Sequence, residues 1–104
     1  MANADPAGHD DAADARDRPS LRVDRWLWCA RFYRSRALAG EAVSGGHVHV
    51  NGARANPSRA LRVGDFVGIS LRGREIELHV RAIPSRRGPA AEARGCYEET
   101  PQSV

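Results

Sequence analysis

The sequence predicts an α+β domain in which two N-terminal helices pack on a small, mainly antiparallel sheet. Three observations carry that expectation. Apolar residues recur at helical spacing between Leu21 and Val43, the pair Gly45-Gly46 interrupts the pattern, and the period then falls to two. Turn signals at Asn51-Gly52, Gly64-Asp65 and Arg72-Gly73 cut the second half into short strands. The 104 residues make one domain. Once the tails are discounted roughly 65 residues remain, a size at which one core is barely self-sufficient and leaves little volume for a deep cleft.

The elements follow in order. Residues 1–20 are rich in Ala, Asp, Gly and Pro without a hydrophobic period, so a disordered acidic tail is expected there. The domain proper is placed at residues 21–84. Its first helix takes Val23, Trp26, Leu27 and Ala30 as a buried stripe and ends near Phe32-Tyr33; Asp24 falls in the first turn, where a carboxylate suits the helix dipole. Ser35 is a plausible N-cap for a second helix, with Leu38, Ala39, Ala42 and Val43 as its stripe and Gly45-Gly46 as its stop.

Beyond the helices, His47-Val48-His49-Val50 puts the valines on one strand face and the histidines on the other, before the Asn51-Gly52 turn. Ala53 to Arg62 reads as a loop or short strand broken at Asn56-Pro57. Two further strands are expected at Phe66–Leu71 and at Glu75–Ile83. Residues 85–104 are expected to be a C-terminal tail, partly helical around Pro89–Arg94.

Charge is unevenly spread. Residues 21–87 carry 13 arginines against five acids, a net of +8, whereas residues 1–20 carry −3 and residues 88–104 carry −2. The total of +3 therefore hides a strongly basic centre between acidic ends. Such a centre concentrates polyanions before any specific contact forms. All sixteen basic residues are arginine, whose fixed fork of donors grips phosphate oxygens bidentately.

Three groups of side chains are candidates for that work. Arg22 and Arg25 flank Asp24 at the start of the first helix; Arg31, Arg34 and Arg36 surround the junction between the helices; Arg54 and Arg59 follow the first hairpin turn. Ser35, Arg36 and the N-terminus of the second helix together make a candidate phosphate site. His47 is a further candidate on the polar strand face. Trp26 belongs to the core stripe, while Trp28 lies off it and is a candidate for stacking on a base. For any single arginine a solvated surface role is the competing reading, and Trp28 packing on its own helix is another.

Other chemistry finds little support. His47 and His49 at i, i+2 lack a third ligand at recognisable spacing, so no metal site is expected, and no cofactor motif is present. Asp24 and Glu41 have no nucleophile beside them, and no Ser/His/Asp order or phosphate loop occurs; an enzyme is not expected. Cys29 and Cys96 form no paired spacing, and no apolar run reaches the length of a signal core or membrane span, so the chain reads as cytoplasmic.

The ordered set Arg22-Val23-Asp24-Arg25-Trp26-Leu27, Ser35-Arg36-Ala37-Leu38-Ala39, Gly45-Gly46-His47-Val48, Val50-Asn51-Gly52, Pro57-Ser58 and Val63-Gly64-Asp65 resembles the S-four domain, an RNA-binding module. The resemblance implies the small S-four-type (alpha-L) fold. It also implies that Arg22, Asp24, Arg25, Ser35 and Arg36 hold ribosomal RNA, with Asp24 orienting its neighbours. Trp26-Leu27-Trp28, Ala30-Arg31-Phe32-Tyr33, Arg86-Arg87-Gly88-Pro89-Ala90 and Tyr97-Glu98-Glu99-Thr100 are similar to a bacterial group of ribosome-associated heat-shock proteins within that family. This second likeness implies docking on ribosomal RNA of the large ribosomal subunit, with peptidyl-tRNA as a further partner, in rescue or recycling of stalled subunits carrying a nascent chain.

The same basic face would accept DNA; no membrane partner is expected, and the chain is expected to be a monomer. Two other functions stay open at this stage. One is a protein-interaction or regulatory module whose basic face binds an acidic protein. The other is an accessory domain of an RNA-modifying enzyme whose catalytic part is a separate chain.

Overall fold

The structure, a computed structural model, describes residues 19–100. Most of the acidic N-terminal tail and the last four residues of the C-terminal tail lie outside the described residues. Strand β1 (Leu21–Arg22) leads directly into helix α1 (Val23–Cys29), and helix α2 (Arg36–Ser44) follows a short connection. Strands β2 (Val48–Val50), β3 (Ala53–Arg54), β4 (Ala60–Leu61), β5 (Phe66–Leu71) and β6 (Arg74–Val80) complete the expected order of helices and then sheet.

Both helices end in the same device. At α1, the Phe32 N–H donates to the Leu27 carbonyl at 3.0 Å and the Arg31 N–H to the Trp28 carbonyl at 3.1 Å. At α2, the His47 N–H donates to Ala42 at 2.9 Å and the Gly46 N–H to Val43 at 3.1 Å. These are Schellman closures, which put the residue after the cap in the left-handed region. Gly46 takes it at φ 84°, as expected of glycine; Arg31 takes it at φ 69° without that freedom. The first helix therefore stops at Cys29 rather than near Phe32-Tyr33, and nothing in the residue type of Arg31 announces it.

The N-terminus of α1 has no side-chain cap among the described residues. Backbone carbonyls supply the acceptors: the Val23 N–H donates to Arg59 at 2.8 Å and the Asp24 N–H to Pro57 at 3.3 Å. The loop of residues 56–59 is thus fastened to the helix start, and the pairing of β1 with β4 (Leu21 opposite Leu61) continues the same attachment. In α2, Ser35 is the N-cap, its Oγ accepting the Leu38 N–H at 3.1 Å.

The main sheet has the order β3-β2-β5-β6-β7, with β7 at Tyr97–Glu99, every pair antiparallel. Two-residue loops at Asn51-Gly52 and Arg72-Gly73 close its hairpins with all four residues at positive φ, the type I′ geometry that matches strand twist. Val48, Val50, Val67, Ile69, Ile76, Leu78 and Val80 point inward and meet Val23, Trp26, Leu27, Ala39 and Val43 from the helices. Trp26 is fully buried, and its Nε1–H donates to the Ala82 carbonyl at 3.1 Å, so its one polar atom is satisfied. Leu38, expected in the α2 stripe, is 46% exposed. The helix packs mainly on α1 and β2, so a narrower stripe of Ala39 and Val43, flanked by half-buried Ala42, suffices.

The expectation of a tail from residue 85 needs correction. Helix α3 (Ala90–Ala93) and a 3₁₀ turn at Arg94–Cys96 lead into strand β7 (Tyr97–Glu99), which pairs with β6 through Val80–Tyr97 and His79–Glu98. The Tyr97 ring meets Trp26 edge-on at 6.4 Å and Phe32 at 4.9 Å. The segment packs because it covers Trp26 and pairs the open edge of β6, which itself ends at Val80 rather than continuing to Ile83.

Candidate nucleic-acid interface

One buried carboxylate organises the basic surface at the helix junction. Asp24, 5% exposed, accepts from Arg22 through Nε at 3.1 Å and Nη2 at 2.9 Å, a bidentate pairing. Arg36 Nε lies 3.9 Å from Asp24 Oδ1. The two guanidinium groups stay about half exposed, so they are held by the acid yet present donors to solvent. Donating hydrogen bonds to Asp24, and next the charge of that carboxylate, raise the Arg22 pKa above its ordinary value. Gly40 on α2 passes close to this carboxylate; a Cβ there would sit 3.8 Å from Asp24 Oδ2.

Around that centre the structure gathers several expected residues. Ser35 and the first turn of α2 lie beside Arg36, and the backbone N–H groups of Arg36 and Ala37 have no acceptor among the described residues. Arg59 belongs to the loop fastened onto the start of α1, and Arg25 lies one residue beyond Asp24 on the helix. Arg25, Arg34 and Arg59 form no ion pair or hydrogen bond through their side chains with another described residue. Donors of the kind that suit phosphate are thus carried by the adjoining segments where α1, α2 and the loop of residues 56–59 meet.

Other expected residues are used differently. Arg31 donates through Nε and Nη2 to the Gly88 carbonyl at 3.0 and 2.8 Å, which ties the C-terminal segment to the helix junction. Arg54 donates through Nη2 to the Ser44 carbonyl at 2.8 Å, capping the C-terminal end of α2. His47 is exposed beyond that same end of α2, a helix about 13 Å long at 1.5 Å rise per residue. Trp28 is half-buried, with the Arg87 guanidinium 5.4 Å from its ring centroid and the Arg87 Nε–H donating to its carbonyl at 2.9 Å. Stacking of Trp28 is thus met within the chain by an arginine. Arg87 is not among the expected binding residues, and its return to α1 depends on the fold of residues 84–96.

Among the described residues, no group of three His, Cys, Asp or Glu side chains could hold a metal ion, and no helix is long and apolar enough to cross a membrane.

The S4 domain family matches residues 21–67, which hold α1, α2 and the loop fastened to them. Heat shock protein 15 of Escherichia coli (strain K12) is 43% identical over 91 residues, covering 86% of this chain and 68% of that protein. The chain belongs to the heat shock protein 15 family. The heat shock protein 15 of Vibrio cholerae, whose solved structure is trimeric, matches with a TM-score of 0.78 at 40% identity, over 82% of this chain and 86% of that one. The small ribosomal subunit protein uS4 of Novosphingobium aromaticivorans is 35% identical over 71 residues, 65% of this chain and 35% of that protein. Membership of the heat shock protein 15 family, with its S4 domain, supports an RNA-binding, ribosome-related role and not an enzymatic one.

Proposed function

We propose that this protein docks in the cytoplasm on ribosomal RNA of the large subunit and acts in rescue or recycling of stalled subunits that carry a nascent chain. The observation that carries the reading is the buried Asp24 carboxylate holding Arg22 and Arg36 side by side. Held donors lose less conformational freedom when a phosphate arrives, so the pair is preorganised for a rigid, folded RNA backbone. Ser35 and the start of α2, Arg25, Arg34 and Arg59 extend the surface; Arg31 and Trp28 serve it indirectly by fixing the C-terminal segment beside it. Arg54 and His47 supply an outlying contact.

Cosedimentation tests this reading. Wild-type protein should pellet with free large subunits, most strongly with those bearing peptidyl-tRNA, and less with intact ribosomes. Equal partition among the three would overturn the rescue assignment, and pelleting with none would overturn ribosomal docking. Duplex DNA added as competitor measures how much affinity is phosphate neutralisation alone. The chain is proposed to act as a monomer, unlike the trimer of its Vibrio cholerae relative; sedimentation of the free protein separates the two states.

A further inference from the structure

The sheet has a second face, turned away from the helices. Cross-strand pairs on it run Phe66 with His79, Gly68 with Glu77, and Ser70 with Glu75, with His49 of β2 opposite Gly68 and Glu98 of β7 opposite His79. No element among the described residues covers this face. An antiparallel sheet can leave one face to water, but such a face is ordinarily polar. Here Phe66 is 42% exposed, and its ring stacks on His79 at 4.8 Å with an interplanar angle of 16°. Next to it Gly68 leaves open space where a Cβ would project, and a groove of about 300 Å³ runs along Gly68, Glu75, Ile76 and Glu77.

The charge of this face opposes that of the helix junction. Among the described residues, Glu75 accepts only the Ser70 hydroxyl at 2.7 Å, and Glu77 accepts the Thr100 hydroxyl at 2.9 Å. Neither carboxylate has a cation within ion-pair distance among the described residues, whereas Glu98 and Glu99 are paired with Arg81 and Arg74. A strip with an exposed aromatic ring, a side-chain-free hollow and two uncompensated carboxylates complements a cationic side chain carried on a chain segment. An arginine or lysine placed there would meet both carboxylates, with the Phe66 ring two residues along β5 from Gly68 on the same face. An RNA backbone, by contrast, is repelled.

We propose that the outer face of the sheet is a docking surface for a lysine- or arginine-rich protein segment, seated along Gly68 with its cations at Glu75 and Glu77. The protein would then bridge two partners, with the helix junction on RNA and the sheet on a basic polypeptide. The surface stands independently of the RNA reading, because its test contains no RNA.

The test is a titration of the full chain with a synthetic ten-residue peptide of alternating lysine and glycine, followed by backbone amide shifts and fluorescence anisotropy. Shifts are expected at Gly68, Glu77 and His79. Affinity should fall about fivefold in the double variant Glu75→Gln, Glu77→Gln, which keeps the acceptors for Ser70 and Thr100. Phe66→Ala should weaken binding as well without loss of fold, since the ring is exposed. Shifts confined to the aspartate-rich N-terminal residues, or an unchanged affinity in the double variant, would overturn the proposal. Concentration-dependent shifts of the same amides without peptide would also overturn it, by naming a second copy of the chain as the occupant.

Discussion

Asp24 Oδ1 receives Arg22 Nε at 3.1 Å and lies 3.9 Å from Arg36 Nε, so a single carboxylate atom faces guanidinium groups from two different elements. Arg22 comes from β1 and Arg36 from the start of α2, and α1 holds the acid between them. The placement of Arg22 beside Arg36 is therefore a product of the α1–α2 packing, with Asp24 as the group they share.

Asp24→Asn tests that dependence. The two guanidinium groups are already half exposed and return readily to water, so unfolding in urea should shift by only about 1 kcal/mol. RNA affinity should fall about tenfold, since Asn keeps the shape but not the charge that holds the pair. A large loss of stability with unchanged affinity per folded molecule would make Asp24 a structural residue alone.

Arg31→Gly separates backbone from side chain. Glycine accepts the left-handed φ of 69° with less strain, which offsets about 1 kcal/mol, while both hydrogen bonds to Gly88 disappear. Global stability should change little, and the amides of β7 should exchange faster. Unaltered exchange at Tyr97–Glu99 would show that the edge strand does not depend on this tie.

Tyr33 carries a prediction about pH. Its hydroxyl is buried without a hydrogen-bond partner among the described residues, and burial raises its pKa above the ordinary value near 10.0. The unfolded chain then loses this proton at lower pH than the folded one. Stability from this group is intact below pH 10 and is lost as pH rises from there toward the folded pKa. Tyr33→Phe should remove that part of the alkaline loss and leave neutral-pH stability equal or up to about 1 kcal/mol higher, as read from urea midpoints across pH. A variant clearly less stable at pH 7 would show that the hydroxyl finds a partner.

Much of this architecture can be read from residue patterns, and the exceptions share a cause. Helical spacing around Trp26, the Gly46 stop and the Asn51-Gly52 and Arg72-Gly73 turns are local signals, and each appears where expected. The early end of α1 at Arg31, the two-residue pairing of β1 with β4, and the return of residues 90–99 to β6 are set by contacts between distant segments. The candidate site divides in the same way. Arg22, Asp24 and Arg36 fall together because α1 and α2 are neighbours in sequence and space, whereas Arg31, Arg54 and Trp28 are engaged by Gly88, Ser44 and Arg87. A side chain's residue type does not reveal which distant carbonyl will claim it.

The aspartate-rich N-terminus yields a further expectation. Residues 1–18 hold five aspartates against two arginines and join the chain only a few residues before Arg22. A tethered polyanion next to a phosphate-binding surface competes most when screening is weak. Deleting residues 1–18 should raise RNA affinity at low salt and leave it unchanged at high salt. Equal affinities at low salt would assign the tail no part in binding.

The most direct measurement of the central claim is the salt dependence of binding to purified large subunits by wild-type protein and Arg36→Ala. If Arg36 neutralises a phosphate, the variant binds more weakly, and the slope of log affinity against log salt falls in magnitude by about 0.7–0.9. Unchanged affinity with an unchanged slope would remove Arg36, and with it the Asp24-centred surface, from the interface.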